Sequence, residues 1–480
     1  MALRVLIVSD LPIPSGFGRI STYIARYLQY RGHDVRGAGL FYNGDPHGHP
    51  FHIWPLVGQD IWGRLTQIIN QGVGDGWVPD LVISCQDFPY HISLGRDCPI
   101  DWSQHKWIFI TPIDGMPVFK EWEVVSKLAD GRMVISRFGV EAMRRQGVKV
   151  DLCHPGVDTN EFYPATQAEK LELRQKAGFP NPNVWMLGMF AMNQGRKAIP
   201  DTLKGFMEFA RDKDDVVLYL DMDEISPAGW NIPVLAEQIG LSTNKILLRQ
   251  HLQPRLPNIR DRYALLDAHA VLAYREGFGL PLLESMSCHI PTLAMDWCAG
   301  TEIVGEGRGY LIPRLKDAYG ELIGQYGTWG NAQDAIPDLK EFVVALNHIY
   351  EHPIEANAIA ERGYQWATKQ TWENCGRQVE DVITRIFGAK GVSHSANLQP
   401  NLRANSANPE VYRVPDGDQQ PRGDGADNHG RLFSFVEPAG VIPDPSEDQQ
   451  ESPKPGVRRQ RKPRGVVGDG VGVADPELGY

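Results

Sequence analysis

Tyr274-Arg-Glu276-Gly-Phe-Gly-Leu-Pro-Leu-Leu-Glu284-Ser-Met-Ser-Cys-His-Ile-Pro291 decides the fold. It follows the apolar run Ala270–Ala273, so Glu276 stands just past the C-terminal end of a buried strand. In open parallel sheets that edge is where ligands bind. Gly277 and Gly279 allow a sharp turn and a close backbone approach, and Pro281 suits the first turn of a helix. Backbone N–H groups at Phe278, Gly279 and Leu280 then point at whatever lies above, a ready site for a phosphate. Glu284 falls one turn into the same helix. Two carboxylates flanking an anion site suit sugar hydroxyls better than phosphates.

Working outward, short apolar runs alternate with amphipathic stretches, the pattern of a parallel α/β sheet. Val5–Val8, Leu81–Ser84, Trp107–Thr111 and Met133–Ile135 read as strands of a first unit. Trp185–Phe190, Val216–Leu220, Ile246–Arg249, Ala270–Ala273 and Thr292–Ala294 read as strands of a second. The spacing predicts helices over Ile20–Arg31, Asp201–Ala210 and Pro281–Ser287. Apolar residues at helical spacing return between Leu339 and Phe387, interrupted only by Pro353. Ser393–Tyr480 is rich in Gly, Pro, Asp, Gln and Asn, and is expected to be mostly disordered. Its basic run, Lys454 to Arg464, reads first as a solvated charge cluster and second as a contact for an acidic partner.

The 480 residues are 42% hydrophobic and 22% charged, enough for two or three domains with buried cores. A net charge of −11 argues against a general nucleic-acid binder. The six cysteines are scattered, without metal-ligand spacing, as expected of reduced thiols in a cytoplasmic protein. No apolar stretch is long enough to span a membrane.

Glu-x7-Glu around Gly-Phe-Gly-Leu-Pro-Leu-Leu resembles the donor-site signature of the retaining glycosyltransferase family called glycosyl transferases group 1. The resemblance covers about residues 1–388. It implies the GT-B architecture: two facing Rossmann-like parallel-sheet domains, here 1–164 on the acceptor side and 165–371 for a nucleotide-sugar donor. A last helix, 372–388, is expected to return to the first domain, followed by the tail 389–480. Pro155-Gly-Val-Asp158-Thr-Asn-Glu-Phe162-Tyr-Pro164 is similar to the family's interdomain connection.

The resemblance implies that Glu276 binds the donor sugar and Glu284 the nucleotide ribose, with the Gly279 and Leu280 amides against the distal phosphate. Phe190-Ala-Met-Asn-Gln-Gly-Arg196-Lys197 follows the second domain's first strand, where relatives place an Arg and a Lys five residues apart. Lys197 matches the Lys, Met192 occupies the Arg position, and Arg196 is the candidate substitute. Fixed cations there would stabilise the charge on a departing diphosphate.

Ser15-Gly16-Phe-Gly18 resembles the glycine loop that reaches across the family's cleft. Arg19 beside it can reach an anion or lie in solvent. Asp114 stands near the place of a family His and is expected to bind acceptor hydroxyls or to start a turn. Ser136 and Arg137 match a cleft position, and His289 replaces a family Gly in a structural turn.

Together these features imply a metal-independent, retaining, hexosyltransferase-type enzyme with no cofactor. It would use a nucleotide sugar and an acceptor that is a sugar, protein or lipid. Asp221-Met-Asp223 has the letters of a metal motif but lies at a strand end. A second reading, a binding protein that has lost catalysis and acts through its tail, draws on Met192, Asp114 and His289.

Overall fold

The computed structural model describes residues 2–388 apart from 59, 119–120, 321–323 and 327–331. The expected tail 389–480, with its basic run, lies outside the described residues. All described residues fall within one compact unit.

The first sheet contains β1 (Arg4–Ser9), β2 (Asp34–Leu40), β3 (Ile53–Leu56), β4 (Leu81–Cys85), β5 (Lys106–Thr111), β6 (Gly131–Val134) and β7 (Asp151–Leu152). Its order is β3-β2-β1-β4-β5-β6-β7, with every pairing parallel. The sequence of β1 shows why. Leu6 and Val8 join the core on one face while Val5 and Ile7 join that on the other. A strand apolar on both faces must be covered on both faces, which parallel crossovers accomplish. The covering helices are α1 (Gly16–Tyr30), α2 (Ile61–Gln71), α3 (Phe88–Ile92), α4 (Glu121–Ser126) and α5 (Arg137–Arg145).

The second sheet contains β8 (Trp185–Phe190), β9 (Val216–Asp221), β10 (Ile246–Leu248), β11 (Ala268–Val271), β12 (Thr292–Met295) and β13 (Tyr310–Ile312). Its order is β10-β9-β8-β11-β12-β13, again parallel. In both sheets the chain runs outward from the first strand and then reverses to its other side, leaving a crevice at the strands' C-terminal ends. Helices α6 (Gln167–Lys176), α7 (Ile199–Phe209), α8 (Ile232–Ile239), α9 (Ile259–Tyr263), α10 (Leu280–Ser287) and α11 (Ala299–Val304) serve this half. A short hairpin of β14 (Gly324–Tyr326) and β15 (Gln333–Ala335) follows.

The predicted strands stand where the apolar runs placed them, to within a few residues. The Gly-, Pro- and His-rich segment Phe41–Ile61 contains the edge strand β3. Its Pro55 pairs with Gly39 on β2 and faces no further strand, the position in a sheet that proline tolerates.

Leu339–Phe387 forms three helices: α12 (Leu339–Glu351), α13 (Pro353–Ala367) and α14 (Trp372–Phe387). Pro353 opens α13, where its missing N–H costs nothing. α14 returns to α1 of the first sheet. Trp372 stacks on Tyr23 at 4.3 Å, and the Tyr27 hydroxyl donates to Glu380 at 2.8 Å. Gly376 lies so close to Tyr27 that a Cβ would collide with its ring. The connection His154–Pro164 is pinned to the α13–α14 junction by Val157 N–H donating to Gln370 at 2.9 Å. Val157, Phe162 and Trp372 belong to a core that runs unbroken from the first sheet into the second.

Candidate donor site

Strands β8 and β11 are neighbours, so the loops that leave them share one stretch of the sheet's C-terminal edge. After β8 the chain makes a 3-10 turn, Gly195–Lys197, and Ala198 takes a left-handed conformation, φ 51°. That turn aims Lys197 into the protein, where Nζ donates to Glu276 Oε2 at 2.5 Å. Arg196 NH1 lies 3.7 Å from the same oxygen and donates to the Arg275 carbonyl at 3.1 Å. Met192, by contrast, is two-thirds exposed at 67%. The guanidinium at this site therefore comes from Arg196.

Burial works against the Glu276 carboxylate, but Lys197, Arg196 and the Phe278 N–H outweigh it and hold its pKa below the usual range. Lys197 moves the same way. Burial, then repulsion from Arg196, lower its pKa against the pull of Glu276. The site thus concentrates two cations around one carboxylate in a shielded cleft.

α10 begins at Leu280 behind Gly279, whose φ of 91° suits glycine, and no side chain caps its first-turn amides. Gly277 has a different reason to be glycine: a Cβ there would run into Pro112 of the first domain. Phe278 is buried, its ring edge-on to His154 at 4.9 Å. Glu284 is buried one turn into α10, where it accepts from the Tyr263 hydroxyl at 2.9 Å and from Arg19.

Across the cleft, Asp10, Asp87 and Asp114 follow β1, β4 and β5 at the first sheet's C-terminal edge. Asp10 accepts from Ser15 Oγ at 2.6 Å and from Gln86. Asp87 is exposed at the surface yet has protein packed around it. That crowding, with the charges of Asp114 and Asp10, raises its pKa to about 6 against the pull of Arg196. Asp114 carries its backbone carbonyl to Cys298 Sγ at 3.0 Å, a link between the two domains. Tyr90, Trp62 and Phe41 flank this wall, with ring centroids 6.3 and 6.4 Å apart from Tyr90.

Gly16 and Gly18 lie in the first turn of α1 and not in a free loop. Ser15 caps that helix, accepting from Gly18 N–H at 3.0 Å, and Gly18 leaves room for the Ile13 carbonyl. Ser136 likewise caps α5, accepting from Gly139 N–H at 3.1 Å. Arg137 N–H donates to Glu302 of the second domain at 2.7 Å. His289 adopts a left-handed backbone, φ 60°, and its ring meets Glu361 at 2.8 Å on the surface. The carboxylates of Asp221-Met-Asp223 are held by arginines: Asp221 by Arg262 at 2.6 Å, Asp223 by Arg249 at 3.0 Å. Among the described residues no group of three His, Cys, Asp or Glu could hold a metal ion.

Sequence reasoning missed Asp87 and Tyr263. Asp87 follows the apolar run of β4 as Asp114 follows β5, so the same strand-end rule would have found it. Tyr263 carried no such signal, because its role depends on α9 packing under α10.

Two facing parallel sheets with a cationic, carboxylate-bearing crevice define a GT-B protein. The profile described as "Glycosyl transferases group 1" matches residues 235–326, which include Glu276 and Glu284. This segment, about a fifth of the chain, is similar to the glycosyl transferases group 1 family. It is 27% identical over 150 residues to mannosylfructose-phosphate synthase of Agrobacterium fabrum, covering 30% of this chain and 32% of that protein. It is 27% identical over 191 residues to D-inositol 3-phosphate glycosyltransferase of Mycobacterium sp. (strain JLS), covering 39% of each. The matches thus span 32% and 39% of these relatives' lengths.

Among solved structures, Anabaena Alr3699/HepE in complex with UDP-glucose aligns with a TM-score of 0.61 at 16% identity. That alignment covers 80% of this chain and all of the other. WaaG, a glycosyltransferase involved in lipopolysaccharide biosynthesis, aligns at 0.58 and 13%, covering 80% of this chain and all of the other. Among the described residues no helix is long and apolar enough to cross a membrane.

Proposed function

We propose that the protein is a retaining, metal-independent glycosyltransferase that moves a hexosyl unit from a nucleoside-diphosphate sugar to an acceptor hydroxyl. The observation that carries this reading is the Lys197–Glu276 pair with Arg196 beside it, next to the uncapped start of α10. In it, Glu276 takes the sugar hydroxyls and Glu284 the ribose. Lys197, Arg196 and the α10 amides take the diphosphate. The sugar's bond to the phosphate oxygen breaks and a bond to the acceptor oxygen forms on the same face. The acceptor's proton passes to the departing phosphate oxygen. Charge building on that oxygen meets cations already in place, so little reorganisation is needed.

On the opposite wall, Asp87 and Asp114 accept hydrogen bonds from acceptor hydroxyls, and Tyr90 with Trp62 offers a face for a sugar ring. The six cysteines, all free and buried, support a reducing, cytoplasmic setting.

The test is titration of UDP-, GDP- and ADP-sugars into the full chain, with and without EDTA, followed by assay of nucleotide release. Binding and release of one donor that survive EDTA support the reading. A requirement for divalent metal contradicts it. Tight binding with no release under any acceptor favours the binding-protein reading, for which the exposed Met192 at the family's Arg position speaks.

A further inference from the structure

Arg19 enters the donor site from the other domain. It stands in the first turn of α1, yet its guanidinium donates to Glu284 on α10, 265 residues away. The pair is well shielded: the Arg19 side chain is 25% exposed and that of Glu284 5%. Glu284 raises the Arg19 pKa against burial, with Glu161 adding to the effect. The guanidinium also lies 5.7 Å from the centre of the Phe162 ring. Its helix cannot drift, because Tyr23, one turn on, donates to Asp158 at 3.0 Å and stacks on Trp372.

A buried carboxylate beside a diphosphate would repel the nucleotide that it is meant to hold. Arg19 cancels that charge through Oε1, while the Tyr263 hydroxyl fixes Oε2 at 2.9 Å. A carboxylate accepts about four hydrogen bonds, so lone pairs remain for two ribose hydroxyls. We propose that Arg19 is a donor-positioning residue supplied by the first domain, the counter-ion that makes Glu284 fit to bind the ribose of a nucleoside diphosphate. The inference rests on the ribose role of Glu284 given above. It makes the donor pocket a joint product of both domains, so that nucleotide affinity depends on their approach.

A double-mutant cycle read by calorimetry with UDP, GDP and ADP tests it on the full chain. Arg19→Met should weaken the preferred nucleotide about 10-fold to 100-fold, the scale of one charged hydrogen bond. Arg19→Lys, which restores the charge, should recover most of that loss. In a Glu284→Gln background the same Arg19→Met change should cost less than about 2-fold, because the charge to be cancelled is gone. Where Arg19→Met does not fold, Arg19→Gln takes its place in the cycle. Losses that multiply in the double variant, or wild-type affinity in Arg19→Met, would overturn the inference while the donor site stands. Failure of the wild type to bind any of the three nucleotides would overturn both.

Discussion

Lys197 and Glu276 meet at 2.5 Å because the strands that precede them, β8 and β11, are paired neighbours. On the proposed function, the contact joins the cation that meets the leaving diphosphate to the carboxylate that takes the sugar. Loss of Lys197 leaves Glu276 with only the more distant Arg196, and loss of Glu276 leaves two neighbouring cations without it, and either is costly at a shielded site.

Replacing Lys197 by Met removes the cation nearest the leaving group. Nucleotide release should fall about 10²-fold to 10³-fold, the range seen when one preorganised donor to a developing anion is lost. The split between kcat and KM reads the mechanism: the loss should fall mainly on kcat, since the charge develops after binding.

Asp87 should give the reaction a pH limb. Its pKa is about 6, and only the ionised form is a pure acceptor for hydroxyl hydrogens. The acceptor KM should therefore rise as pH drops through about 6, and Asp87→Asn should lose that limb. Stability moves the other way. The folded protein keeps this proton between pH 3.8 and about 6, after the unfolded chain has lost it. The cost of ionising Asp87 thus builds up between pH 3.8 and about 6 and is complete above that. Asp87→Asn should raise Tm at pH 7 and leave it nearly unchanged at pH 4.

The fold was legible where apolar runs were long and unbroken. β1, β5, β8 and β9 are buried on both faces, so their residues are apolar without alternation and announce parallel strands. β2 was not legible, because Asp34-Val-Arg-Gly-Ala-Gly-Leu40 carries two glycines and two charges and is made a strand by its neighbours β1 and β3. The places of Glu276, Glu284 and Lys197 at the strand ends and on α10 were legible from their motifs. The partner of Glu284 was not, since nothing local in the sequence says that Arg19, a domain away, will reach it.

Two buried histidines set the acid side of stability. His91 is held between Ser84 Oγ and the Gln86 carbonyl, each at 3.0 Å, and burial lowers its pKa to about 4. His269 meets Ser285 Oγ at 3.0 Å, and burial lowers its pKa to about 3. Both folded values lie below the unfolded one, so their contribution is complete above pH 6.5 and is lost as pH falls. Between pH 7 and pH 5 each should cost about 2 kcal/mol, readable by chemical denaturation at the two pH values.

The returning helix α14 is held by an aromatic stack. Trp372→Ala removes the ring that lies on Tyr23 with 2° between planes, along with its share of the common core. The cost should be about 3–5 kcal/mol by equilibrium unfolding. A loss below about 1 kcal/mol would mean that α14 is not fixed through this contact.

On the proposed function, Glu276 and its cations hold a nucleotide-sugar donor. Nucleotide release from UDP-, GDP- and ADP-linked glucose and mannose, in EDTA, compared between wild type and Glu276→Gln, tests it most directly. The wild type should turn over one donor, and the variant should lose at least about 100-fold of that rate. Equal turnover by the two proteins would contradict it.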